Sequence, residues 1–126
     1  MNKLTIIGNL THDPELRTTQ NGISVCSFTV AVNRPRKDAN GNSVADFFRV
    51  SAWRQTGENC GKYLAKGRKV CVIGSVSVRT YQDSKGETRA QMEVTAEDVE
   101  FLSPVGSAGG YTQVENEQGV FDELPM

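Results

Sequence analysis

One histidine, three cysteines, one tryptophan and four prolines in 126 residues leave little material for several kinds of chemistry. His12 sits in a polar turn beside Asp13 and Pro14, with no second histidine to share a metal, and neither a GxSxG nor an HExxH pattern occurs. Cys26, Cys60 and Cys71 are odd in number, widely separated and in no CxxC pair, so they read as buried free thiols, not as a metal set or a disulfide frame. The neighbouring acids Glu97, Asp98 and Glu100 read as a solvated strand end. No apolar run approaches the roughly 18 residues of a membrane span, and the opening MNKLTIIGNL is too short and mixed for a secretory leader. The expectation is a soluble, intracellular protein that is not an enzyme, with no cofactor, no metal and no membrane partner.

Basic residues are also missing from one end. All 14 Lys and Arg lie in residues 1 to 103 against 11 acids, a net +3, whereas residues 104 to 126 carry four acids and no base, a net -4. The overall charge of -1 therefore hides two regions of opposite sign.

The first hundred residues alternate short β-rich runs with turn chemistry. Asn2 to Leu10 and Glu15 to Thr19 read as strands separated by the Thr11-His12-Asp13-Pro14 break, and Asn21-Gly22 is a hairpin signal leading into a strand from Ile23 to Val32. Apolar parity slips in that strand, odd at Ile23 and Val25 but even at Phe28, Val30 and Val32, which predicts a bulge or sharp coil near Cys26. Asn33 to Val44, with Arg34-Pro35-Arg36-Lys37 and Asn40-Gly41, reads as a basic hairpin loop, and Asp46 to Trp53 as the next strand. Thr56 to Lys66 reads as a helix capped by Thr56, with Glu58 in its first turn and Gly67 as its stop, although Gly57 and Gly61 weaken it. Strands over Lys69 to Tyr81 and Arg89 to Leu102 flank the Asp83-Ser84-Lys85-Gly86 turn. The order is that of an all-β OB-fold, a five-stranded Greek-key barrel with one short helix. From Ser103 the composition turns to Gly, Ser, Gln and Glu, so residues 104 to 120, with Gly106, Gly109 and Gly110, read as a flexible linker in a disordered C-terminal tail.

Side chains alternate faces along a strand. In Asp46 to Trp53 the even set Phe48, Val50 and Ala52 is uniformly apolar and belongs to the core, which turns Phe47, Arg49, Ser51 and Trp53 outward. In the following strand Val70, Val72, Gly74, Val76 and Val78 form the core row, and the other row ends in Arg79 and Tyr81. Aromatic rings with cations between them suit a single nucleic-acid strand, whose bases have free π-faces and whose phosphates need positive charge. Phe47, Trp53 and Tyr81 are the stacking candidates, and Arg34, Arg36, Lys37, Arg49, Arg54, Arg79 and Arg89 the phosphate candidates. The same outward rings also suit the core of a subunit interface, and the same face suits RNA. A pure assembly module is the remaining alternative.

Gly8-Asn9-Leu10, Asp13-Pro14-Glu15-Leu16-Arg17, Asn21-Gly22, Phe47-Phe48-Arg49-Val50, Trp53, Tyr63-Leu64-x-Lys66-Gly67 and Arg79-Thr80-Tyr81 followed by Gly86 occur in that order. Together they resemble the bacterial single-stranded DNA-binding protein family over residues 1 to about 103. The resemblance implies a cytoplasmic, nucleoid-associated homotetramer that coats single-stranded DNA in replication, recombination and repair. It places Phe47, Trp53 and Tyr81 at stacking positions, with Arg49 and Arg79 beside them.

Two departures stand out. Where some members place a further aromatic on the long hairpin, this chain has Arg34-Pro35, which shifts weight from stacking to phosphate contacts and implies strong salt sensitivity. The end, Phe121 followed by Asp122, Glu123, Leu124, Pro125 and Met126, resembles the family's acidic, apolar-ended tip, with Met126 where a terminal Phe is usual. Such a tip suits a basic-rimmed apolar pocket on replication and repair proteins, and its charge also suits competition with DNA for the positive domain.

Overall fold

In a computed structural model of the chain, residues 1–103 are described. Six strands and one helix follow in the order β1 (Leu4–Leu10), β2 (Glu15–Thr18), β3 (Ser24–Asn33), β4 (Ala45–Trp53), α1 (Arg54–Tyr63), β5 (Lys69–Gln82) and β6 (Thr88–Phe101). Hydrogen bonding runs β1-β5-β6-β4-β3, and β1 returns to pair with β3 through Asn9 opposite Ala31 and Leu10 opposite Val30. That return closes five strands into a barrel. β2 is appended to the open side of β3, four exposed residues in register from Glu15 opposite Ser27 to Thr18 opposite Ser24. Every pairing is antiparallel except β4 with β6, the parallel contact forced by the crossover through α1. The connectivity is that of the expected OB-type barrel.

Alternation fills the interior. Ile6 and Leu10 from β1, Cys26, Phe28 and Val30 from β3, Val50 and Ala52 from β4, Val70 and Val72 from β5 and Val94 from β6 form one buried cluster, to which α1 and its C-cap add Cys60 and Leu64. Each fully buried Val contributes roughly 1.5–3 kcal/mol relative to leaving it exposed. Closure demands a residue without a side chain where β1 meets β3: a Cβ on Gly8 would lie 2.2 Å from the Ala31 carbonyl oxygen. Gly57 serves α1 in the same way, since a Cβ there would lie 2.2 Å from the Ala52 oxygen. The two glycines that weaken the helix by propensity are thus what lets it lie on the barrel end, since a Cβ on Gly61 would also press on the Leu16 side chain, at 3.1 Å.

Three sequence expectations fail locally. No bulge interrupts β3, whose register with β4 runs unbroken from Val25 opposite Trp53 to Asn33 opposite Ala45. Cys26, wholly buried, carries the even core row, while Val25 and Ile23 are only partly covered. The register irregularity falls instead between β5 and β6, where Ile73 faces Asp98 but Gly74 faces Ala96. Thr56 is not the helix cap: α1 begins two residues earlier, Trp53 is the extended N-cap residue without a side-chain cap bond, and the first turn holds no acid. Glu58 instead accepts a 2.9 Å hydrogen bond from Ser24 Oγ, tying α1 to β3. Finally, Val78 is 59% exposed and leaves the core row. Beyond Val76, which takes the last bonds from the β1 side through Asn2, β5 runs past its neighbour, so alternation continues with little left to cover it.

The candidate nucleic-acid interface

The outer face of β4 is set by register. Phe47 lies opposite Ala31, Arg49 opposite Thr29, Ser51 opposite Ser27 and Trp53 opposite Val25. Small side chains on β3 leave the rings and the guanidinium standing above the sheet. On the other side, Arg49 is level with Glu93 of β6, and Glu93 with Ser77 of β5. One rung further along, Gln91 faces Arg79, and beyond that Arg89 faces Tyr81. Three strands therefore present one continuous surface carrying Trp53, Arg49, Phe47, Arg79, Arg89 and Tyr81.

All three candidate rings stand in the open: Phe47 is 58% exposed, Trp53 43% and Tyr81 40%. Phe47 and Tyr81 line one groove of about 580 Å³, together with Asp46, Phe48, Gln91 and Met92. The Arg79 guanidinium lies 5.3 Å from the centre of the Tyr81 ring, within cation–π range. A second groove, about 420 Å³, lies across Arg49, Ser27 and Thr29 toward the His12-Asp13-Pro14 turn. Trp53 stands at the far end of β4, where Arg54 turns the chain into α1 with φ of 59°, the left-handed region an L-residue occupies at a cost of about 1–2 kcal/mol.

The cations divide into two groups. Arg36, Lys37, Arg49 and Arg54 form no ion pair among the described residues. Arg34, Arg79 and Arg89 each hold a carboxylate. Arg34 clasps Asp46 with both Nε (3.1 Å to Oδ2) and Nη2 (2.9 Å to Oδ1). Arg79 Nε donates to Glu93 Oε2 at 2.8 Å and its Nη2 to Gln91 Oε1 at 3.1 Å. Arg89 Nε donates to Asp83 Oδ2 at 2.9 Å, and its Nη2 lies 3.3 Å from Glu87 Oε1. The Arg34 hydrogen bond holds the Asp46 carboxyl below the usual carboxylate range, and Arg89 with the turn amides of Glu87 and Lys85 does the same for Asp83. Sequence reasoning missed these carboxylates. Their signal was the hairpin geometry: a turn at Asp83 to Gly86 brings β6 back along β5, and Glu93 lies one step diagonal to Arg79 on the same face.

The thiols lie elsewhere. Cys26 and Cys60 are wholly buried, and burial pushes their pKa values up to about 11 and about 12. The candidate tip, Asp122 to Met126, and the segment 104–120 lie outside the described residues.

A small closed barrel whose sheet carries spaced rings and cations defines a class, the OB-fold proteins that lay an oligonucleotide across the strands. The particular family follows from comparison. The model of the Single-strand binding protein family matches residues 1–102, and the chain belongs to that family. It is similar to a protein of Halalkalibacterium halodurans named single-stranded DNA-binding protein, 42% identical over 127 residues that span 100% of this chain and 76% of that one. A Staphylococcus aureus protein of the same name is 42% identical over 107 residues, 85% of this chain and 69% of its own. The crystal structure of a small single-stranded DNA-binding protein from Streptomyces coelicolor superposes with a TM-score of 0.67 at 28% identity, covering 79% of this chain and 92% of that one.

Proposed function

We propose that this chain binds single-stranded DNA without regard to sequence, by stacking bases on Phe47, Trp53 and Tyr81 and holding phosphates with Arg34, Arg36, Lys37, Arg49, Arg54, Arg79 and Arg89. The observation that carries the reading is the outer face of β4, where two exposed rings flank an arginine that no carboxylate holds among the described residues. Stacking contributes roughly 1–3 kcal/mol per base and serves every base alike, which accounts for indifference to sequence. A duplex conceals the π-faces that this surface offers to meet.

Coating of unwound DNA in replication, recombination and repair is the activity that this binding serves, in the cytoplasm at the nucleoid. The working unit is a homotetramer. Ile7, 50% exposed on the outer side of β1, gives the barrel an apolar surface for such an assembly. Residues 104–120 act as the linker that carries the tip, Asp122 to Met126, to replication and repair proteins.

The test is a titration of oligo-dT of increasing length at two salt concentrations, followed by Trp53 emission, with oligo-U as competitor. Quenching that saturates, weakens with salt and resists competition by oligo-U supports the reading. Emission unmoved by oligo-dT overturns it and leaves the rings to a subunit interface, while equal competition by oligo-U extends the ligand to RNA.

A further inference from the structure

Three of the seven candidate cations are already paired, and each partner is a carboxylate. Asp46 is held by the fork of Arg34. Glu93 is held by Arg79. Asp83 is held by Arg89. A guanidinium fork presents the same pair of parallel N–H groups to a carboxylate and to a phosphate, so a carboxylate oxygen seated on it occupies the position a phosphate oxygen would take. The placement of these acids matters as much as their contacts. Glu93 stands on the outer face itself, level with Arg49, in the middle of the surface assigned to the DNA strand. Asp46 lines both the groove of Phe47 and Tyr81 and the groove along Arg34 to Asp38 of the basic hairpin loop. Asp83 sits at the tip of the β5–β6 hairpin, two residues beyond Tyr81.

We infer that Asp46, Asp83 and Glu93 are built-in competitors for phosphate: at Arg34, Arg89 and Arg79, DNA binding is an exchange in which the incoming phosphate displaces the carboxylate from its arginine. The inference rests on the single-stranded DNA reading above and adds its affinity control. It gives the negatively charged side chains of this positive domain a task that general electrostatics does not. Held arginines stay ordered and shielded, so weak or stray anions do not settle on the face, and only a ligand that engages several forks together displaces the acids. The exchange also blunts the salt response. Phosphates that reach the protein release condensed cations, but every liberated carboxylate takes mobile cation back. Arg36, Lys37, Arg49 and Arg54, with no ion pair among the described residues, carry no such offset.

The experiment uses the full chain and isosteric neutral substitutions, Asp46→Asn, Asp83→Asn and Glu93→Gln, each titrated with one oligo-dT over a salt series. Asp83→Asn keeps an acceptor for the Lys85 and Glu87 amides, which Asp83 Oδ1 receives at 2.9 and 3.0 Å, so the turn survives. Glu100→Gln is the control, an acid that sits opposite Cys71 on a part of the ladder remote from Tyr81. Each of the first three is expected to tighten binding about two- to fivefold, the range of an exposed ion pair, and to steepen the salt dependence. The control is expected to move affinity by less and to leave the salt slope alone. Equal tightening by all four variants overturns the inference in favour of net charge. Unchanged or weaker binding by the three overturns it by showing that the acids support the arginines instead of competing for them. Failure of the unmodified chain to bind oligo-dT overturns the DNA reading itself, so the two failures are told apart.

Discussion

Removing the rings one at a time and in pairs tests the geometry of the interface, because the structure assigns them to different neighbourhoods. Phe47 and Tyr81 line one groove. Trp53 is six residues along β4 from Phe47, about 20 Å at a strand rise of about 3.3 Å per residue. Each of Phe47→Ala, Trp53→Ala and Tyr81→Ala is expected to weaken oligo-dT binding by the loss of one stacked base, about 1–3 kcal/mol, or roughly 5- to 150-fold in Kd. The pairs then differ. Phe47→Ala with Trp53→Ala is expected to add to within about 0.5 kcal/mol, as distant sites do, whereas Phe47→Ala with Tyr81→Ala is expected to depart from additivity by more than that, since both walls of one groove are lost. Fluorescence anisotropy of a labelled oligo-dT at fixed salt reads all of these without depending on Trp53. The rings are exposed, so stability in urea is expected to shift by about 0.5 kcal/mol or less. Losses below about twofold for all three singles, or coupling between Phe47 and Trp53 with none between Phe47 and Tyr81, refute the arrangement.

Gly8→Ala is expected to destabilise the fold by about 3 kcal/mol or more in urea unfolding, from overpacking against Ala31 together with strained closure bonds between β1 and β3; a change under 1 kcal/mol refutes the closure argument. Arg36→Gln and Lys37→Gln are each expected to flatten the plot of log affinity against log salt by about 0.7, the value for one phosphate on a single strand, while Arg34→Gln flattens it less because Asp46 is freed at the same time. In the native protein at pH 8 an alkylating reagent is expected to label Cys71 alone, and all three thiols after denaturation, as mass spectrometry will show. Because burial raises Cys26 and Cys60 from 9.0 to about 11 and about 12, the unfolded chain sheds their protons first as pH rises. Their stabilising contribution is complete below pH 9 and is lost above it, by about 1.4 kcal/mol per pH unit per thiol until the folded pKa is reached, a decline that urea unfolding between pH 8 and 11 measures.

Most of the barrel was legible in the sequence because period-two alternation is local. Phe48, Val50 and Ala52 against Phe47, Arg49 and Trp53 assigned both faces of β4 correctly. The β3 parity argument failed because it took Ile23 and Val25 for core, whereas these apolar side chains are only partly covered and the buried Cys26 thiol keeps the even row intact. Alternation also says nothing of where a covering layer stops, which is why Val78 was taken for core. The helix limits were missed for another reason: Arg54 enters α1 from a left-handed backbone position that propensity does not suggest for arginine. The candidate cations were proposed from residue type and order, but two of their carboxylate partners depend on ladder diagonals 12 and 14 residues apart in the chain, and the third on the hairpin turn six residues away.

The overhang of the β5–β6 hairpin divides the candidate interface between two kinds of support. From Arg79 opposite Gln91 to Gln82 opposite Thr88 neither strand pairs with a third among the described residues, and every residue of β5 there is exposed. Trp53 and Phe47 stand on a closed cylinder that resists bending, whereas Tyr81 rides on a ribbon whose local opening needs no disturbance of the core. Such a ribbon behaves as a finger beside an anvil. On the single-stranded DNA reading proposed above, fixed rings at Phe47 and Trp53 beside a more yielding one at Tyr81 would let one rigid barrel follow the uneven trajectory of a chain that has no helix of its own.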